Sequence, residues 1–189
     1  MRAGGKSMHE AKLDNDQQHF LLSLAREAIR LHLEKGRAPI PEVKDRTMRE
    51  ERGAFVTLRL DARLRGCIGY PEPQDALYRT VMDAAVMAAT RDTRFPPLTL
   101  EELPETRIEI SILSPPRKIK DISEIILGEH GIIVTQGFQR GLLLPQVPLE
   151  WDWDLETYLR HGCLKAGLEE NAWQTGAEIQ LFSAQVFSE

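Results

Sequence analysis

Two glycines, an arginine and a cysteine punctuate an otherwise apolar stretch at Leu64-Arg65-Gly66-Cys67-Ile68-Gly69-Tyr70, and this stretch limits what the chain can fold into more than any other. The run before it, Gly53 to Leu60, alternates. Val56, Leu58 and Leu60 lie on one face and Phe55, Thr57 and Arg59 on the other, the period-2 pattern of a half-buried strand. Asp61-Ala62-Arg63 reads as a three-residue hairpin loop, which sets Leu60 opposite Leu64, Leu58 opposite Gly66 and Val56 opposite Ile68. A two-residue loop mixes the two faces, so the odd register is expected. Thr57, Arg59, Arg65 and Cys67 then share the second face, with a cation beside a thiol. Glycine weakens a strand unless a bulge or the close approach of another group needs the space, so Gly66 and Gly69 mark this hairpin as the floor of a site.

The rest of the chain supplies helices and further strands around that hairpin. Asp14 or Asn15 caps a helix with Leu21, Leu24, Ala28 and Leu31 at helical spacing, and Gly36 ends it. Pro39 and Pro41 keep the next segment to a loop or a short turn. Pro71 and Pro73 break the motif strand. A second helix from Asp75 carries Leu77, Val81, Ala84 and Ala88 on a stripe thin enough for the hairpin to approach closely. Pro96-Pro97 stops helix, and Thr99-Leu100-Glu101-Glu102 is a capping box. Arg107 to Leu113 alternates as a strand, with Ile108, Ile110 and Ile112 facing one way.

Ser114-Pro115-Pro116 marks a boundary, because two prolines end strand pairing. Beyond it Asp121 opens a short helix, Gly131–Val134 and Gly141–Leu144 form a second hairpin, and Asp152 or Asp154 starts a helix carrying Leu155, Leu159 and Cys163, closed by Gly167. The last strand, Glu178 to Phe187, shifts its alternation at Leu181-Phe182, which predicts a bulge. Hairpins and strands separated by helices of uneven length predict an α+β fold with a largely antiparallel sheet.

At 189 residues with 42% hydrophobic content the chain suits a single domain, 1–189. Its net charge of −5 gives no general attraction to a phosphate backbone and argues against a nucleic-acid partner. Its two cysteines form no CxxC pattern, which points to a reducing cytoplasm. Met1 to Glu10 has no apolar core of a leader, and no run reaches membrane-spanning length. Metal and nucleotide fingerprints are absent, so no metal or cofactor is expected.

Cys67 reads as a nucleophile if a cation and a base hold it as thiolate, or as a small residue packed in a tight strand. Arg65 reads as a group that orients a substrate or as a partner for Glu109. His130 is the one histidine in a motif-like context and is a candidate acid or base. His9, His19, His32 and His161 read as helix-surface or terminal residues, and Cys163 as core. Trp151 and Trp153 read as an aromatic patch for a partner or as an anchor for the helix that follows.

Leu64 to Gly69, Asp92-Thr93-Arg94-Phe95-Pro96-Pro97-Leu98, Gly141 to Val147 and Cys163-Leu164-Lys165-Ala166-Gly167-Leu168 together resemble the AMMECR family. The resemblance implies two lobes with a cleft between them. The larger lobe, 15–114 plus 176–189, is an antiparallel sheet with helices built from both chain ends, and the smaller α+β lobe, 115–175, is inserted. It implies a cleft floored by the motif, with Arg94 among the residues that line it; the residues themselves offer Cys67 and Arg65 as candidate catalytic groups and Gly66, Gly69, Glu109 and His130 as candidate binding residues. It further implies Memo-type and radical-SAM proteins as partners. Two functions follow as expectations: an enzyme or enzyme component acting on a ligand with an anionic or carbonyl group, or a non-catalytic module that grips a protein or peptide in the same cleft.

Overall fold

A computed structural model describes residues 12–72 and 74–189. The leader expectation for Met1–Glu10, the reading of His9 and the strand-breaking role of Pro73 lie outside the described residues.

The first helix, α1 (Asn15–Lys35), starts at a reciprocal capping box between Asp14 and Gln17 and stops at Gly36, whose φ of 63° is the left-handed cap that glycine adopts without strain. Strands β1 (Ala54–Leu60) and β2 (Arg63–Tyr70) form the first hairpin, and α2 (Leu77–Thr90) follows. Strands β3 (Arg107–Leu113), β4 (Arg117–Lys118), β5 (His130–Gln136) and β6 (Gln139–Leu143) come next. A short helix α3 (Val147–Glu150), the longer α4 (Leu155–Lys165, capped by Asp154) and β7 (Glu178–Ser188) complete the chain. The fold is α+β: among the described residues, four α-helices and a curled antiparallel sheet in the order β2-β1-β3-β7-β5-β6, with β4 paired to β7. Among the described residues no helix is long and apolar enough to cross a membrane.

β7 holds the sheet together because it is long enough to serve two neighbours. Its second half pairs with β3 (Ile110 opposite Phe187) and its first half with β5 (Ile132 opposite Leu181). Following the registers, Val56, Leu58, Ile108, Ile110 and Ile112 face α1 and α2 in one core. Ile132, Val134, Ile179 and Leu181 face α4 in a second core with Tyr158, Leu159 and Cys163. Phe182 points to the opposite face, where it meets Leu113 and Ile133, with Phe55, Leu142 and Leu144 beside them. The bulge expected at Leu181-Phe182 is therefore not there. The registers of β7 with β5 and β3 run without a shift, and both residues are buried because the strand is covered on both faces at this point.

The hairpin differs from expectation in a way that matters for the site. Its loop is two residues, Asp61 and Ala62, both at positive φ (50° and 63°), the backbone of the tight turn whose twist matches that of paired strands. The odd residue is absorbed further along, where Leu58 pairs with Gly66 and Arg59 with Leu64, so that Arg65 stands as a bulge. The expected pairs Leu58–Gly66 and Val56–Ile68 are kept, and the pair Leu60–Leu64 is not.

Gly66 explains how α2 lies so close. A Cβ there would sit 2.2 Å from the carbonyl oxygen of Ala88, so the thin alanine stripe of α2 packs directly on the strand backbone. Gly66→Ala must push helix and strand apart, and overpacking of this kind costs roughly 1–3 kcal/mol. A urea unfolding midpoint unchanged by Gly66→Ala would contradict this packing.

Candidate functional site

The bulge re-aims Arg65. Instead of standing beside Cys67 on the sheet face, its guanidinium turns off the sheet edge into the loop that follows α2. There it donates from Nε to Glu102 Oε1 at 3.0 Å and from a terminal nitrogen to Glu102 Oε2 at 2.9 Å. It also donates to the carbonyls of Pro96 (2.7 Å) and Pro97 (3.2 Å). The Arg65 side chain is only 12% exposed. Its partner is thus Glu102, not Glu109 as the strand pattern suggested. Glu102 is also the capping-box residue: its carboxylate accepts from the Thr99 amide at 2.9 Å, while Thr99 Oγ1 accepts from the Glu102 amide at 3.3 Å. Arg65 first, and the Thr99 amide after it, hold the Glu102 carboxyl below its ordinary range.

Strand β2 is the edge of the sheet, and an edge exposes unpaired N–H and C=O groups that need cover. An ion pair covers them at Cys67. The Cys67 amide donates to Asp92 Oδ2 at 2.8 Å, and the Arg94 guanidinium reaches the Cys67 carbonyl at 3.4 Å. Arg94 in turn binds Asp92 with two nitrogens, at 2.9 and 2.6 Å. The Arg94 guanidinium, together with the Cys67 and Arg94 amides, holds the buried Asp92 carboxyl well below the usual carboxylate range, against the opposing effect of burial. The same contact with Asp92 raises Arg94.

Because the Cys67 amide points outward, Cys67 and Thr57 form a non-hydrogen-bonded pair, in which facing side chains come closest. The Thr57 hydroxyl uses that proximity to donate to Cys67 Sγ at 3.3 Å. The row continues across the sheet, since Thr57 faces Glu109 on β3 and Glu109 faces Ser188 on β7. One step along, Arg59 lies directly opposite Arg107. Two cations at facing positions repel. Arg107 donates to the Glu189 carbonyl at 3.0 Å, whereas Arg59 and Glu109, both half-buried, have no ion-pair partner among the described residues. On the other side of the row, a Cβ on Gly69 would sit 2.4 Å from the Phe55 ring. The helix-free face thus grades from apolar, at Phe55 and Leu113, through Cys67, Thr57 and Glu109 to the arginines.

Cys67, Glu109 and Gly69 therefore share the helix-free face, Arg94 stands at its rim and is half exposed, and Arg65 and Gly66 point elsewhere. His130 is not with them. Its register opposite Ser183 puts it on the helix-bearing face, its Nδ1 accepts from the Ile126 amide at 3.1 Å, and its carbonyl accepts from Tyr158. Tyr70 anchors the end of β2 through a hydrogen bond to Asp83 that pushes its phenol up to about 12. Cys163 is fully buried in the second core, as its helical stripe predicts, and both cysteines are free. Cavities of about 240 and 490 Å³ open beside the 41–49 segment, and no motif residue lines them. Among the described residues no three His, Cys, Asp or Glu side chains group as a metal site would require. Asp92 and Glu102 were not readable as a set, because each becomes important only when the loop after α2 folds back on the strand edge, whereas Thr57 meets Cys67 through the strand pairing expected from the sequence.

The family model that matches this chain is AMMECR1, over residues 22–187. Protein MJ0810 of Methanocaldococcus jannaschii is 46% identical over 179 residues, covering 90% of this chain and 89% of the relative. Protein MK0488 of Methanopyrus kandleri is 45% identical over 188 residues, covering 94% of this chain and 91% of the relative. The crystal structure of an uncharacterized protein, PH0010 from Pyrococcus horikoshii, superposes with a TM-score of 0.89 at 38% identity, covering 95% of this chain and 94% of that one.

Two outcomes follow from the edge bracing. Arg65→Ala and Glu102→Ala should each destabilise by about 1.5–3 kcal/mol, the range for hydrogen bonds to charged groups, and the double variant should lose clearly less than the sum. Additive losses in urea unfolding would mean that the pair does not act as a unit. For Asp92, a folded-state carboxyl held below its unfolded value of about 3.9 stabilises fully above that pH, and the contribution is lost as pH falls toward the folded value. Wild-type urea midpoints should therefore drop more steeply between about pH 5 and pH 2 than those of Asp92→Asn. Parallel profiles would remove Asp92 from the acid response.

Proposed function

The chain belongs to the AMMECR1 family, and on that premise we propose that its working surface is the helix-free sheet face around Cys67, the thiol-centred site of an enzyme or enzyme component. The ligand brings an anionic or carbonyl group to Cys67, and Arg59 meets its charge. The observation that carries this reading is the division of labour within the hairpin. Arg65 and the backbone of Cys67 are already held by Glu102, Asp92 and Arg94, while Cys67 is part-exposed with a hydroxyl donor on its Sγ, and Arg59, which has no ion-pair partner among the described residues, lies on the same sheet face.

Two separate cores support a further proposal of two lobes, 15–114 plus 176–189 and 115–175, with this face between them and with Ile179 and Leu181 of β7 reaching into the core of the smaller lobe. Memo-type and radical-SAM proteins as partners are proposed from the family resemblance, and cytoplasmic work from the two cysteines that form no disulfide pattern. The free thiols are consistent with a reducing compartment. The second reading, a non-catalytic module on the same face, is favoured by one observation. Among the described residues the hydrogen-bond partner of Sγ is a hydroxyl, not an acid or base.

Alkylation with two reagents of opposite character tests the proposal, because each forms an S–C bond with loss of iodide and only one carries a carboxylate. In the folded protein Cys67 should be labelled while Cys163, whose thiol burial pushes up, stays intact. The ratio of iodoacetate to iodoacetamide rates at Cys67 should exceed that of a free-cysteine peptide and fall toward it in Arg59→Gln. An inert Cys67 would leave the non-catalytic reading, and a ratio indifferent to Arg59 would remove the anion preference.

A further inference from the structure

The segment Leu149-Glu150-Trp151-Asp152-Trp153-Asp154-Leu155-Glu156 carries four carboxylates and no cation in eight residues. Its two tryptophans have different surroundings. Trp153 is half-buried against the second core and stacks on His161, with ring centroids 3.9 Å apart and planes at 24°. His161 is itself tied to the Thr157 carbonyl at 2.9 Å. Trp151 stacks on Trp153, at 6.4 Å and 22°, and stays 68% exposed. Between them Asp152 sits at φ 52°, a left-handed backbone that a non-glycine residue adopts only under local constraint. The expectation of an anchor thus holds for Trp153, and the expectation of a partner patch remains for Trp151.

Two more exposed apolar side chains belong to the same stretch of surface-exposed chain and the turn it packs on. Leu149 is 64% exposed and packs on the turn at Gly128, two residues from Ile126, which is 50% exposed. Glu150 and Asp152 flank Trp151 and are exposed. Arg160 on α4 has its guanidinium on Glu170 at 2.6 Å and also interacts with the charges of Glu156 and Asp154, whereas Glu150 and Asp152 have no ion-pair partner among the described residues.

We infer that this patch docks a basic segment of a partner protein, with a lysine or arginine head over the outer face of Trp151 between the Glu150 and Asp152 carboxylates and its aliphatic stem on Leu149. A tryptophan face is the strongest aromatic partner for a cation, and carboxylates at its rim exclude anionic ligands. This inference does not depend on the reading of Cys67, which faces away from α4.

The test uses the full chain and fluorescein-labelled hexaarginine and hexalysine, with hexaglutamate as control, in an anisotropy titration. The basic peptides should bind and weaken as salt rises toward about 0.15 M, and hexaglutamate should not bind. Trp151→Ala should weaken binding about tenfold and Trp151→Phe less, with the unfolding midpoint unchanged because the ring is exposed. Asp152→Asn should weaken it without touching an apolar contact. Absence of binding overturns the inference, as does binding indifferent to Trp151, which would reflect only the net charge of −5. A dimer in sedimentation that Trp151→Ala dissociates also overturns it, because the patch would then be covered by a second copy.

Discussion

The site depends on how the exposed edge of one strand is closed. β2 lies at the end of the sheet, and its central residue, Cys67, presents an amide and a carbonyl that no neighbouring strand meets. The loop after α2 supplies an ion pair in their place, Asp92 to the amide and Arg94 to the carbonyl, while Arg65 fastens the same loop through Glu102 and two proline carbonyls. Hydrogen bonds to charged groups contribute about 1.5–3 kcal/mol each, so this bracing outweighs most individual contacts of the hairpin. It also blocks edge-to-edge pairing with another chain, which an uncovered strand invites.

That bracing redistributes the roles within the motif. Two of the residues that look most like chemistry in the sequence serve structure: Arg65 ties down a loop, and Gly66 gives α2 room to approach. What is left facing the open side of the sheet is a thiol, a hydroxyl, a carboxylate and a cation from three adjacent strands, Cys67, Thr57, Glu109 and Arg59. Their spacing follows from strand pairing alone, so the row is as rigid as the sheet beneath it. β7 extends that rigidity by pairing with β3 and β5 at once, which joins the two cores through one strand.

Most of the architecture was legible in the sequence because it is local. The Asp14 and Asp154 caps, the Gly36 stop, the isoleucine alternation of β3 and the second hairpin all stand where pattern and propensity put them. The failures share a physical cause, which is that strand parity can be satisfied in more than one way. A three-residue loop and a two-residue loop with a bulge give Val56 and Ile68 the same register, yet only the second turns Arg65 away from Cys67 and toward Glu102. Leu181 and Phe182 imitate a bulge because β7 is buried on both faces at that point, which alternation alone does not report. His130 lies on the far side of the sheet for the same reason: its face is set by pairing with β7, some fifty residues away.

Hydrogen exchange at the Cys67 amide tests the bracing most directly, because Asp92 is its acceptor and no strand replaces it. In the wild type this amide should be protected to a degree comparable with the interior amides of β1 and β3. In Asp92→Ala it should lose that protection selectively, by about tenfold or more, while Val56 and Ile110 keep theirs relative to global stability. A Cys67 amide that exchanges freely in the wild type, or that stays protected without Asp92, would contradict the claim that an ion pair closes the edge of the sheet.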